Sequence, residues 1–269
     1  MGAMAKRSQA WPLTVVLVVV GIISSTVWVQ RERRTARRAL WAELQPIAVV
    51  GCDLRRFGED HDGGYLVCAN SLDAVTAGYS YGINGYDGWG CEVATVTGKP
   101  VHQYDCFNTT VPSCNAPTMF HAECVGPRTE TIDGRPFGSL SQHLATNGDT
   151  GRRVVVKMDI EGAEWDTLLS APDDVLTHID QLILELHGVA DPKFLNAVKR
   201  LKEHFHVANL HMNNFSCTSG LDPFPAWAYE VLFVNKRLAA AGAPKPTAYA
   251  DIDRPNLPTA ADCQAPIER

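Results

Sequence analysis

Short apolar runs recur through the middle of this 269-residue chain, most of them separated by stretches of helical character, and this alternation restricts the fold more than any other feature. The runs read as strands at Ala77–Gly82, Val101–Tyr104, Met119–Val125, Val154–Met158, Gln181–Leu186, His206–Met212 and Tyr229–Val234. Helices are predicted at Leu140–Thr146, Glu164–Ala171 and Pro192–Phe205. In the last of these, Phe194, Leu195, Val198, Leu201 and Phe205 recur at helical spacing. Strand, helix, strand over this length implies an α/β fold, an open doubly wound sheet of Rossmann type with helices on both faces. An irregular, proline-containing loop separates the last two runs, which predicts an antiparallel hairpin closing the sheet.

Composition narrows the partners. The chain is 45% hydrophobic and 20% charged, enough for one substantial core. Its net charge of −6 is unevenly placed. Seven Lys/Arg and one acid fall in residues 1–38, which leaves 17 basic and 29 acidic side chains on the rest. A body that acidic argues against nucleic acid as a partner, because affinity for a phosphate backbone comes largely from clustered Lys and Arg.

Trp11 to Val29 carries no charge and is flanked by tryptophans and arginines. At about 1.5 Å per residue it matches the hydrocarbon thickness of a bilayer, so a single N-terminal membrane helix is expected. The eight cysteines are all beyond it, and two glycosylation sequons begin at Asn108 and Asn214. Together they point to an oxidising compartment and a lumenal or extracellular domain, although the five arginines after the span favour the cytoplasm. None of the cysteines forms a C-x-x-C pair, which argues against structural zinc. The expected organisation is a short tail at 1–10, an anchor at 11–29, a helical stem at 30–50, a catalytic-type domain at 51–235 and a Pro/Ala-rich extended tail at 236–269. Cys263 would tie that tail down.

Ligands of doubly wound sheets bind at the carboxyl ends of the strands. The first core strand runs into Tyr81-Gly82-Ile83-Asn84-Gly85, where glycines allow a sharp turn close to a ligand. Asp105 ends the next strand, about twenty residues on, where a carboxylate can accept both hydroxyls of an adenosine ribose. The strand at 154–158 delivers Asp159 and Glu161, two acids that would share one face if strand geometry persisted. Gly162 then turns the chain, and Glu164 is read as a cap of the following helix. Glu185 and His187 end the neighbouring strand, and His211, Asn213 and Asn214 the next. Asp159, Glu185 and His187 are candidate bases. Such ligand types suit several divalent ions, but no residue is assigned to a metal. His61-Asp62-Gly63-Gly64 is read as a turn that can also carry a lid. Neither a Gly-x-Ser-x-Gly elbow nor a P-loop occurs.

The segment VVVKMDIEGAEW, with QLILELH, LHMNN and the upstream FGEDHDGGYLVC, resembles the FkbM-type methyltransferases and the related methyltransferase-like proteins of animals. The likeness covers about Cys52 to Asn235. It implies a class I methyltransferase fold with an antiparallel terminal strand and S-adenosylmethionine as cofactor. By the same resemblance Gly82 and Gly85 would lie against the cofactor, Asp105 would hold its ribose, and Asp159 would sit beside the sulfonium and the acceptor. The implied reaction is O-methylation of a carbohydrate or other small hydroxylated acceptor. Ser80 departs from the pattern, since many methyltransferases carry an acid two residues before the first glycine. Two rival readings are a disulfide-stabilised binding domain that has lost catalysis and a nucleotide-sugar transferase. The D-x-D spelling at Asp251-Ile252-Asp253 lies in the tail.

Overall fold

The computed structural model describes residues 13–189, 191, 193–245 and 252–264, and side chains from residue 28 onward. Helix α1 (Leu13–Glu43) leads through β1 (Ile47–Val49) to a hairpin of β2 (Leu54–Phe57) and β3 (Tyr65–Cys68). The first central strand is β4 (Ala77–Tyr81), followed by α2 (Gly88–Thr97), β5 (Val101–Tyr104) and β6 (Thr118–His121). A small sheet of β7 (Cys124–Gly126), β8 (Glu130–Ile132) and β9 (Arg135–Ser139) precedes α3 (Leu140–Thr146). Then come β10 (Val154–Met158), α4 (Glu164–Ser170), α5 (Asp173–His178), β11 (Ile179–His187) and α6 (Lys193–His204). The described chain ends through β12 (Phe205–Met212), β13 (Ala228–Asn235) and β14 (Ala241–Pro244).

The central sheet has the order β12-β13-β11-β10-β4-β5-β6. β4 pairs in parallel with both β5 and β10, and β13 runs antiparallel to β11 and β12. The chain starts at β4, builds outward to β6, and returns to β10 on the other side. Connections therefore leave the carboxyl ends of β4 and β10 in opposite directions and open a crevice there. The antiparallel strand is not the edge: β13 sits one place in, and β12 is outermost. Every residue of β4, β10, β11 and β13 is buried, because both faces of the sheet are covered. Leu40, Leu44, Trp165, Phe194 and Leu201 pack one face; Phe57, Trp89 and Val93 pack the other.

Three expectations change. The single apolar run at 119–125 is two short strands in different sheets, because Glu123 and the disulfide at Cys124 fall where the chain turns. The tail is not wholly irregular: β14 pairs with β1, and residues 253–263 pack on the domain, held by the Cys217–Cys263 disulfide. The third concerns the membrane. No helix among the described residues is long and apolar enough to cross a bilayer, so the fold class is corrected to a mixed α/β domain without the membrane helix. The same finding overturns the single-pass membrane assignment and, with it, the expected lumenal or extracellular location that the cysteines and sequons suggest. Trp11 and the side chains of 13–27 lie outside the described residues. What is described of α1 runs unbroken through the arginine cluster and docks on the domain. Trp41 packs edge-on against Phe224 at 5.1 Å, and Lys202 Nζ pairs with Glu43 at 2.6 Å.

All eight cysteines are paired, as Cys52–Cys68, Cys91–Cys114, Cys106–Cys124 and Cys217–Cys263. The sequon at Asn214 is buried: its amide donates to the carbonyls of Leu257 and Ala260, and its oxygen accepts from Leu257 N.

The packed tail creates a buried polar cluster. Glu230 accepts from Asn256 Nδ2 at 2.6 Å, and that amide also reaches Asp62. Asp253 lies 3.3 Å from His211 Nδ1 and 3.7 Å from Arg56. Burial pushes the Glu230 carboxyl up to about 7, against the opposing pull of His211. A raised acid stabilises the fold at low pH and loses that contribution as pH rises from the unfolded value through the folded one. Glu230→Gln keeps the acceptor for Asn256 and removes the ionisation. The variant should match the parent near pH 4.5 and gain on the order of 2–3 kcal/mol over it by pH 8. Urea unfolding at both pH values measures this; a difference independent of pH would disprove it.

Candidate active site

A cavity of about 1000 Å³ opens over the carboxyl ends of β4, β5, β10 and β11. Its floor is set by backbone contacts that the sequence builds locally. β4 ends in Gly82, whose φ of +73° turns the chain; a Cβ there would stand 1.6 Å from the carbonyl oxygen of Asp159. The glycine thus lets the ends of β4 and β10 touch, in addition to lining the cavity. Gly85 turns the same loop (φ +78°) but faces Asn108 and Thr110 and does not line the cavity.

Asp105 is 7% exposed and closes this loop. Its Oδ1 accepts from the backbone N–H groups of Phe107 and Asn108, and Oδ2 accepts from that of Asn84 at 2.8 Å. A carboxylate has about four acceptor positions, so roughly one remains for a ligand rather than the two that a paired ribose contact requires. Ser80 hydrogen-bonds to an acid from the next element. Asp87, the N-cap of α2, accepts from Ser80 Oγ, Gly90 N and Gln103 Nε2 and lines the cavity.

On the other side, β10 and β11 bring Asp159, Glu185 and His187 together. Tyr65 of β3 donates its hydroxyl to Asp159 Oδ2 at 3.0 Å and lies 3.4 Å from Glu185 Oε2. Asn213 donates to Glu185 Oε1 at 2.7 Å. Lys157 Nζ, 3.5 Å from Asp159 Oδ2, also donates to the Gly82 carbonyl and lies over the Tyr65 ring. Burial, then the charges of Asp159 and Glu230, raises the Glu185 carboxyl well above the usual range.

His187 is 8% exposed and fixed at both ends. Trp165, stacked on Phe194 with ring centroids 4.0 Å apart, donates Nε1–H to its carbonyl at 2.7 Å. Its ring nitrogen Nδ1 lies 3.0 Å from Glu164 Oε1. Burial alone would lower His187, but the hydrogen bond and charge of Glu164, with Glu185 and Asp159, outweigh it and raise the imidazole. Both Glu185 and His187 are thus raised, and each is a stronger base in its deprotonated form than an exposed carboxylate or imidazole would be.

The acids after β10 do not share a strand face. The strand stops at Met158, and Glu161 adopts a left-handed conformation (φ +56°) that leaves it 82% exposed. Glu164 does cap its loop, accepting from Ile160 N and Gly162 N at 2.7 and 2.9 Å, and the same carboxylate orients His187. Sequence reasoning did not assign Tyr65, Lys157 or Asn256, all of which line the cavity. A lysine inside an otherwise apolar strand was the one available signal. The turn at 61–64 forms, with Gly64 N donating to the His61 carbonyl, and Asp62 and Gly63 also line the cavity. Of the D-x-D spelling, Asp251 lies outside the described residues and Asp253 is spent on the buried cluster.

Fold and site together define a mixed α/β domain with a seven-stranded sheet and a cavity at its switch point into which acidic and imidazole groups project. No family model matches the chain, so membership of the FkbM-type family is not established, and no curated protein matches it in sequence. Among solved structures, the fibrillarin pre-rRNA processing protein of Methanococcus jannaschii is similar at 10% identity and a TM-score of 0.33, over 61% of this chain and 68% of that one. A likeness that slight carries no weight for the chemistry of this chain.

Proposed function

We propose that this chain is an S-adenosylmethionine-dependent methyltransferase acting on a hydroxyl of a small or glycan acceptor. The observation that carries the reading is the placement of the cavity: one half is walled by the Gly82–Asn84 loop and Asp105, the other by Asp159 and Glu185. The first half suits a nucleoside at the switch point of a doubly wound sheet. The second half suits a positively charged sulfonium and an acceptor that must lose a proton. The sheet order, with its one antiparallel strand inside the edge, agrees with the class I methyltransferase fold that the sequence resembles.

In this reading Asp105 accepts one ribose hydroxyl and holds the loop that shapes the nucleoside end. Asp159, fixed by Tyr65 and Lys157, faces the sulfonium and positions the acceptor oxygen. Glu185 would take the proton of the acceptor hydroxyl, and S-adenosylmethionine, when bound, would supply the methyl group from its sulfonium and leave as S-adenosylhomocysteine. An alcohol is a weak nucleophile, so alignment and a base near neutrality supply the rate. Asn213 holds the Glu185 carboxylate in place.

Calorimetric titration of the oxidised chain with S-adenosylmethionine and S-adenosylhomocysteine tests the reading. Saturable binding of both is expected, with loss of binding in Asp105→Ala. Unchanged affinity in that variant would remove the ribose assignment, and no binding to the folded parent chain would overturn the function.

A further inference from the structure

His187 Nε2 points into a ring of carboxylates without making a hydrogen bond to any of them. Glu161 Oε2 stands 3.6 Å away, Glu185 Oε1 3.8 Å and Asp159 Oδ1 3.9 Å. These separations are too long for hydrogen bonds. The side chain is more than nine-tenths buried and lines the cavity, so Nε2 faces the cavity interior with three carboxylates at ion-pair distance around it. One ligand atom each from Asp159, Glu161 and His187 lie within 4.8 Å of one another.

The rest of the arrangement selects among occupants. The other ring nitrogen is held by Glu164, which is fully buried and anchored by two backbone N–H groups. A carboxylate behind an imidazole fixes its orientation and raises its basicity, as is usual for histidines that bind metals. Lys157 reaches Asp159 Oδ2 and leaves Oδ1 facing His187. Four carboxylates (Asp159, Glu161, Glu164 and Glu185) thus surround one imidazole with one lysine to balance them. Glu161 is the exposed member, with its Oε2 already 3.6 Å from His187 Nε2.

We infer that Asp159, Glu161 and His187 form a binding site for one divalent first-row cation, with Glu164 orienting the histidine from behind. Two carboxylates and an imidazole are hard-to-intermediate ligands, which suits Mn²⁺ and Zn²⁺ better than a thiophilic ion. The ion lies at the acceptor end of the cavity, where it can coordinate a substrate oxygen and lower the pKa of a hydroxyl. The site does not depend on the identity of the cofactor.

The test is a titration of the full, oxidised chain with MnCl₂ in the absence of any cofactor, followed by electron paramagnetic resonance of free Mn²⁺. One tight equivalent is expected. Glu161→Gln, on an exposed side chain that the fold does not need, should weaken it at least ten-fold, and Glu164→Gln should weaken it about 10–100-fold as an outer-shell change. His187→Gln should abolish it, with circular dichroism to confirm folding; if that variant does not fold, Glu161→Gln decides alone. Absence of a saturable equivalent for both Mn²⁺ and Zn²⁺, or affinity unchanged in Glu161→Gln, overturns the site. Cofactor titration in the presence of a chelator is read separately. Cofactor binding without metal binding sinks this inference alone, and metal binding without cofactor binding sinks the methyltransferase reading alone.

Discussion

Glu185→Gln is expected to lower methyl transfer by about 10²–10⁴-fold, the range for loss of a positioned general base, while leaving the affinity for S-adenosylmethionine within a few-fold of the parent. The substitution is nearly isosteric. The glutamine carbonyl still accepts from Asn213, whose amide now stands 2.7 Å from Glu185 Oε1, and Tyr65 keeps its bond to Asp159. What disappears is the proton acceptor. Asp159 is a poorer substitute, because Tyr65 and Lys157 engage its Oδ2 and its Oδ1 faces His187. Single-turnover transfer to a hydroxylated acceptor, measured beside calorimetric cofactor affinity, separates the two effects. A variant that transfers at the parental rate would move the base elsewhere. A variant that loses cofactor binding instead would make Glu185 part of the binding surface.

Gly82→Ala is expected to destabilise the domain by about 3–5 kcal/mol and to remove cofactor binding. Two costs combine. The backbone there is left-handed, which penalises any side chain, and the new methyl would overlap the Asp159 carbonyl oxygen, a backbone atom with no rotamer to escape into. Relief requires β4 and β10 to separate at their carboxyl ends, which moves Asp159 relative to the nucleoside loop. Gly162→Ala is the control. Its φ is +104°, but nothing lies within 4 Å of the added carbon, so only the conformational cost applies. Urea unfolding of both variants decides the point. If Gly82→Ala loses no more stability than Gly162→Ala, close approach of the strand ends is not what organises the site.

These two residues also mark how far the sequence could be read. Asp159, Glu185 and His187 were legible as a group because a parallel strand delivers its last residue to one end of the sheet, whatever its neighbours are. The burial of β10 and β11 was legible for the same reason, as continuous apolar runs require cover on both faces. The N-terminal stretch misled, since an uncharged run of that length fits a bilayer by composition alone, whereas no described helix is long and apolar enough to cross one. The tail misled in the other direction. Its prolines concealed a short strand and a cluster around Asp253 and Asn256 that packs against β12 and β13.

Local pattern and strand polarity therefore determined the α/β character of the domain, the end of the sheet that carries the site, and three of its acidic and imidazole groups. The tertiary structure decided the rest: the four cysteine pairs, the bridging of Asp159 and Glu185 by Tyr65, and the second task of Glu164 behind His187. It also showed that Asp105 spends most of its acceptor capacity on its own loop. Each of these joins residues distant in sequence, or turns on a hydrogen-bond inventory that only three-dimensional packing defines. A carboxylate's position can be read from the strand that ends in it, but what satisfies that carboxylate depends on the elements folded around it.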